Sequence, residues 1–130
     1  MFVDGDIAFP PDGINRLLAH DKDIICGAYG TRSIPSYSTI KMSDESGNLI
    51  DYKWETPPTE LFKVFALGTG FMLIKMSVFD KIPKPYFNFD LLNNELVGED
   101  VLFCKKANEA GFEVWCDPTI KLGHIGEYCY

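Results

Sequence analysis

The sequence predicts an α/β fold in a single domain over residues 1–130. Three observations lead there. An apolar segment, "MFVD", is followed by the helix-patterned "PPDGINRLLAHD" and then by a second apolar segment, "KDIICGAYG". Further on, the helix-patterned "EDVLFCKKANEAG" is followed by the apolar "FEVWCDP". The length allows one substantial core and leaves little room for another. Short apolar runs alternating with helices are what a sheet covered on both faces requires.

"MFVD" reads as a short buried strand. Pro10 and Pro11 suit a helix entrance, Asp12 a cap, and Ile14, Leu17 and Leu18 fall on one helical face. "KDIICGAYG" is apolar and bounded by polar residues and Gly, the signature of a second buried strand. "YSTIKM" and "LIDYKWE" flank the turn-forming cluster "SDESGN", which predicts a β-hairpin projecting from the main sheet. "LFKVFALGTGFMLIK" is strand-like on both sides of Gly68-Thr69-Gly70, and a short helix is expected near Ser77 to Lys81. "PKPYFNFDLLNNELVG" has no clean period and reads as loop. A helix opens at Glu99, with acidic residues in its first turn, Lys105 and Lys106 later, and Gly111 as its stop. "FEVWCDP" is a strand, and "TIKLGHIGEYCY" reads as an irregular tail.

A formal charge of −7 argues against nucleic acid or an anionic membrane as partner, because no basic patch is present to exchange counterions with phosphate. An acidic protein that handles phosphates needs a metal ion to do so. No apolar run approaches the roughly 20 residues that span a bilayer, so a soluble, cytoplasmic protein without a transmembrane segment is expected. Cys26, Cys104, Cys116 and Cys129 are scattered and form no CxxC pair. Cys26 and Cys116 stand in apolar runs, where a free thiol behaves as a small hydrophobe.

The chemistry-bearing candidates are acidic. Asp4 and Asp6, separated by Gly5, share one side of an extended chain by the period of two. At a strand end both would face the crevice where open α/β sheets bind ligands. Two carboxylates this close repel unless a cation lies with them, and oxygen ligands favour Mn²⁺ or Mg²⁺. Gly5 lets an anionic ligand approach the backbone. The alternative is that either Asp caps the turn before the helix. Glu99 and Asp100 form a second acidic pair after Gly98, where simple helix capping is the competing account. His124, between Gly123 and Gly126, is a further ligand candidate, since imidazole with carboxylates suits Mn²⁺. Trp54 and Tyr52 on the hairpin could stack on a sugar face or serve as packing residues.

An apolar strand ending in DxD, a following Pro-Asp helix, "GTGFMLIK", a Gly-Glu-Asp helix start and a late Gly-His occur here in that order. Together they resemble the second half of GT-A glycosyltransferases, most of all the family-2-like branch. The resemblance runs from Phe2 to Glu127 and implies a partial GT-A, Rossmann-like mixed sheet with flanking helices. It implies that Asp6 holds Mn²⁺ or Mg²⁺ on the diphosphate of a nucleotide sugar, a UDP-sugar first among them, with Asp4 near metal and ribose and His124 completing the metal shell. It further implies Asp100 as general base toward a sugar or other hydroxyl acceptor, Glu99 as a partner of acceptor hydroxyls, and Gly68, Thr69 and Gly70 bordering a bound sugar.

GT-A enzymes carry a nucleotide-binding half ahead of DxD, and this sequence begins at that motif. The expectation is therefore a metal and acceptor half that self-associates or joins a partner chain supplying the rest. A phosphatase of the aspartyl-phosphate type also ends its first strand in DxD, but Ile7-Ala8 stand where that type wants Gly-Thr. A non-catalytic module binding sugar or cation, or an inactive remnant, is the alternative from another class.

Overall fold

The computed structural model describes residues 1–53, 58–92 and 94–126. In chain order the elements are β1 (Phe2–Val3), β2 (Ile7–Ala8), α1 (Gly13–Ala19), β3 (Ile24–Gly27), β4 (Lys41–Ser43), β5 (Leu49–Asp51), β6 (Phe62–Val64) and β7 (Phe71–Ile74). They continue with α2 (Met76–Phe79), β8 (Asp90–Leu92), β9 (Glu95–Val97), α3 (Glu99–Glu109), β10 (Val114–Asp117) and β11 (Gly123–His124). The expected α/β class holds. A five-stranded mixed sheet runs in the order β1-β7-β3-β10-β6, with β3 and β10 parallel and the other neighbours antiparallel.

The central strands are apolar at consecutive positions because both sheet faces are covered. Ile24 and Cys26 of β3, Met72 and Ile74 of β7, and Val114 and Cys116 of β10 enter one core with Val78 of α2 and Phe103, Cys104 and Ala107 of α3. The alternate residues Ile25 and Phe71, flanked by Leu73 and Trp115, enter a second core with Ile7, Leu17 of α1, Tyr29 and Ile120. Period two thus divides each strand between two layers of packing. Cys26, Cys104 and Cys116 are buried and free, and burial pushes the thiols of Cys104 and Cys116 up to about 12. Cys129 lies outside the described residues. Among the described residues no helix is long and apolar enough to cross a membrane.

α1 begins where Asp12 was expected to cap it, yet the Asp12 side chain makes no capping hydrogen bond. Leu17 is fully buried whereas Leu18 is 56% exposed, so the apolar face is narrower than the sequence spacing implies. The buried charge Asp117, at the end of β10, ties α1 to the sheet. Its carboxylate lies 3.0 Å from His20 Nε2 and accepts from Thr119 N–H at 2.9 Å and from the Thr119 hydroxyl, with Arg16 at 3.8 Å. Burial works to raise this carboxyl, but those hydrogen bonds and the Arg16 charge prevail and hold it below its ordinary value.

β4 and β5 form the expected hairpin, closed by Asp44, which accepts from the N–H groups of Ser46 and Asn48 at 2.9 and 2.8 Å. α3 starts after Gly98 and is stopped past its cap, Ala110, by Gly111, whose φ of +89° only glycine adopts readily.

Three expectations need correction. The strand β1, expected to be buried, stands at the edge of the sheet with Phe2 and Val3 exposed, because only β7 pairs with it. The segment read as loop contains the hairpin β8–β9, with Leu91 opposite Leu96 and Asn94 in the left-handed region at φ 64°. Both leucines are exposed, so no buried face imposed a period that the sequence could display. The tail read as irregular buries Ile120 and then forms β11, which pairs antiparallel with β2. Strands of two residues are too short to carry an alternation.

Candidate functional site

β7 runs antiparallel to β3, so its leading turn, Gly68-Thr69-Gly70, lies at the sheet edge where β1 and β3 end. Asp4 N–H donates to the Gly70 carbonyl at 2.9 Å, which fastens the end of β1 to that turn. The chain then leaves the strand, because Ile7 N–H reaches back to the Asp4 carbonyl at 3.1 Å and closes a turn over Gly5 and Asp6. Asp4 and Asp6 therefore do not share one side of an extended strand, as the period of two had implied. That period holds only while the chain stays extended. A Cβ at Gly5 would meet no atom within 4 Å, so the turn has open space beside it.

Asp6 faces two nitrogenous groups. Its Oδ2 lies 2.9 Å from Arg32 Nη1 and 3.4 Å from His124 Nε2. His124 is delivered by β11, in register with Ile7 of β2, and Ile125 N–H donates to the Asp6 carbonyl at 2.7 Å. The other ring nitrogen, Nδ1, lies 2.9 Å from the Gly30 carbonyl. A carbonyl only accepts, so Nδ1 carries the proton, and in the neutral ring Nε2 presents a lone pair toward Asp6. Two acceptors face each other stably only with a proton or a cation between or beside them.

Tyr29 stands just beyond β3 and is 7% exposed. Its hydroxyl oxygen accepts the Gly70 N–H at 2.9 Å, and its ring lies edge-on to His124 with centroids 5.4 Å apart. A Cβ at Gly70 would come within 2.6 Å of that oxygen and 3.1 Å of Asp4 Oδ2. One at Gly68 would overlap the same oxygen and lie 3.6 Å from Asp100 Oδ2. The glycines are thus demanded by a phenol set between Asp4 and Asp100. Burial pushes the Tyr29 hydroxyl above its ordinary value; the Gly70 N–H opposes this while the Asp4 and Asp100 charges add to it, so it stays protonated and able to donate.

Glu99 and Asp100 open α3, and Asp100 Oδ1 accepts the Val101 N–H at 2.7 Å. Asp100 is half-buried. Burial raises its carboxyl above the ordinary value, the Val101 N–H works against this, the Glu99 charge adds to it, and Lys41 again lowers it. A hollow of about 320 Å³ has Lys41, Asp51, Glu95 and Val97 in its lining together with Gly98 and Val101, the two residues that flank the acidic pair in sequence. Tyr52 packs on Phe62 with ring centroids 5.6 Å apart, while Trp54 lies outside the described residues.

Sequence-predicted Asp6 and His124 meet, and Asp4, Gly68, Gly70 and Asp100 gather around Tyr29. The full ligand set Asp4, Asp6 and His124 is not assembled: among the described residues no group of three or more His, Cys, Asp or Glu side chains is placed to hold a metal. Asp6 and His124 offer one carboxylate oxygen and one imidazole nitrogen, a donor pair that suits Mn²⁺ better than Mg²⁺, which takes oxygen ligands, and that leaves most of the shell to phosphate oxygens and water. Sequence reasoning missed Tyr29, Arg32 and Lys41. Tyr29 ends an apolar strand just before Gly30, and Arg32 is one of two arginines in the chain; these were the available signals.

No family model matches the chain, and no curated protein matches it in sequence. Among solved structures it is similar to the crystal structure of A197 from STIV, with a TM-score of 0.61 at 22% identity. The match covers 96% of this chain and 56% of that one, so the chain spans little more than half the length of that protein. At this identity the likeness bears on architecture, and the α/β fold is shared with A197 along almost the whole chain.

Proposed function

We propose that the chain is the metal and acceptor side of a GT-A-type glycosyltransferase, transferring a sugar from a nucleoside diphosphate sugar, a UDP-sugar first among them, to an acceptor hydroxyl. The observation that carries this reading is His124 Nε2, fixed by the Nδ1 contact to Gly30 and aimed at Asp6 Oδ2 at 3.4 Å. Asp100 is near the turn that precedes β7, its Oδ2 3.6 Å from where a Cβ at Gly68 would stand.

Asp6 and His124 would hold Mn²⁺ or Mg²⁺, with Asp4 nearby. Bound there, the cation supplies positive charge to the diphosphate leaving group. Asp100 accepts the proton of the acceptor hydroxyl at Oδ2, since Oδ1 is engaged by Val101 N–H. Its raised affinity for protons makes it a better base than an exposed carboxylate. As the proton leaves, the acceptor oxygen bonds to the anomeric carbon, and the bond from that carbon to the diphosphate breaks with its electron pair on the phosphate. One displacement inverts the anomeric centre. Glu99 would accept from other acceptor hydroxyls, and the turn Gly68-Thr69-Gly70, closed over its glycines by Tyr29, would border the bound sugar.

Calorimetric titration with MnCl₂ and then UDP tests the reading. Binding of UDP that depends on Mn²⁺ and disappears in Asp6→Ala is expected; UDP binding indifferent to Mn²⁺ and to that substitution overturns it. β1 is an edge strand with Phe2 and Val3 exposed, which supports association with a further copy or a partner chain that supplies nucleotide contacts. Light scattering that gives a monomer mass at working concentration counts against self-association.

A non-catalytic module that binds sugar or cation through the same residues is the second reading. The engagement of Asp6 by Arg32 favours its sugar-binding form, because a guanidinium already balances that carboxylate without a metal. Mn²⁺-dependent hydrolysis of a UDP-sugar by the chain would exclude it.

A further inference from the structure

Arg32 and His124 converge on one atom. Arg32 Nη1 lies 2.9 Å and His124 Nε2 3.4 Å from the same Asp6 Oδ2. The Arg32 side chain is more than half exposed, whereas that of His124 is mostly buried and tethered to Gly30. A cation bound between Asp6 and His124 would need the oxygen that Arg32 now holds. His124 is fixed by β11, so Arg32 is the group free to move away.

We infer that Arg32 is an exchangeable counter-ion: it neutralises Asp6 while the site is empty of metal, gives way when a divalent cation binds, and then pairs with the diphosphate of the ligand. This rests on the reading of Asp6 and His124 as metal ligands. Three features support it. A guanidinium offers a planar fork of donors that matches two phosphate oxygens, which an ammonium cannot do. The chain is strongly acidic and has one other arginine, Arg16, which is held by Asp117 and Thr119. The ion pair with Asp6 is surface-exposed, and such pairs are weak enough to be exchanged.

The test is calorimetry on wild type, Arg32→Gln and Arg32→Lys, first with MnCl₂ and then with inorganic diphosphate at fixed Mn²⁺, a probe that needs no contact to a base or ribose. Removing the competing guanidinium should tighten Mn²⁺ about twofold to fivefold, the range of an exposed ion pair. The same change should weaken diphosphate about tenfold or more, as expected for loss of a charge-assisted pair. Arg32→Lys should fall between the two. Opposite signs in the two titrations support the exchange. If wild type binds both ligands and Arg32→Gln matches it, the exchange is overturned while the metal reading stands. Weaker diphosphate with unchanged Mn²⁺ also overturns it, leaving Arg32 a plain phosphate contact. If neither wild type nor Arg32→Gln binds Mn²⁺, the metal reading falls and takes the exchange with it. An unchanged unfolding midpoint in Arg32→Gln guards against a folding defect.

Discussion

The hydroxyl oxygen of Tyr29 accepts the backbone N–H of Gly70 across 2.9 Å in a buried setting, joining the end of β3 to the turn that precedes β7. The bond holds the phenol between Asp4 and Asp100 and sets the space available at Gly68 and Gly70. Tyr29→Phe leaves that N–H without its partner, which should lower unfolding free energy by about 1–3 kcal/mol. Gly68→Ala should cost about 1–3 kcal/mol through overlap with the same oxygen. Since Phe removes the offending atom, the two losses should not add. A double-mutant cycle by urea unfolding that gives simple additivity would show that the contact does not decide the glycine.

Asp100 offers a separate test of role against cost. Burial raises its carboxyl, so the folded state binds its proton more tightly than the unfolded chain does. Its contribution to stability is therefore full at pH below the ordinary 3.8 and declines as pH rises through the raised folded value. Asn, which is neutral and can still accept from Val101 N–H, lacks that decline. Asp100→Asn should equal or exceed wild type in thermal midpoint at neutral pH and lose that advantage in acid. Transfer should fall by about 10²–10⁴-fold, the usual contribution of a general base. A variant that keeps wild-type turnover would remove Asp100 from the proton transfer.

The Asp117 cluster has the opposite sign. Its carboxyl is held below 3.8 in the folded state, so the stability it provides is present above that pH and is lost as pH falls through the lowered folded value. Asp117→Asn sets an amide against Arg16 and His20 and should cost about 1–3 kcal/mol at neutral pH. Urea unfolding measured from pH 7 downward should show the gap to wild type closing only in acid, below the ordinary carboxylate value. A gap that is constant with pH would mean that packing, not charge, explains the loss.

Ile120 links stability to the site. It is fully buried beside Ile7, Leu17, Ile25 and Phe71, and the chain reaches β11 and His124 only after it. Ile120→Ala should cost about 2–5 kcal/mol and also weaken Mn²⁺ binding, because the strand that presents His124 loses its anchor. Val78→Ala, in the opposite core, should destabilise while leaving Mn²⁺ affinity unchanged at temperatures where the variant stays folded. Equal effects of the two on metal binding would refute the anchoring role.

Much of the fold was legible along the chain. "IIC" of β3, "FMLI" of β7 and "VWC" of β10 are apolar at every position because each is covered on both faces, and "EDVLFCKKANEAG" announces a helix by its acidic start and its glycine stop. The acidic candidates were also legible as residue types, since carboxylates clustered beside glycine stand out in any register. Hairpin β8–β9 was not, because its exposed leucines answer to no core.

The sequence by itself determined the alternation of strand and helix, the division of each central strand between two faces, and the stock of carboxylates and imidazole available to a site. Only the tertiary structure decided which of them meet. His124 reaches Asp6 and Gly30 because a strand of two residues closes on β2 from the far end of the chain. Tyr29 becomes a spacer between acids because β7 lies antiparallel beside β3. Arg32 finds Asp6 from a loop with no periodicity of its own. Periodicity reports which face a side chain takes relative to its neighbours in sequence, whereas strand pairing across long separations chooses the partner, and no local pattern encodes that choice.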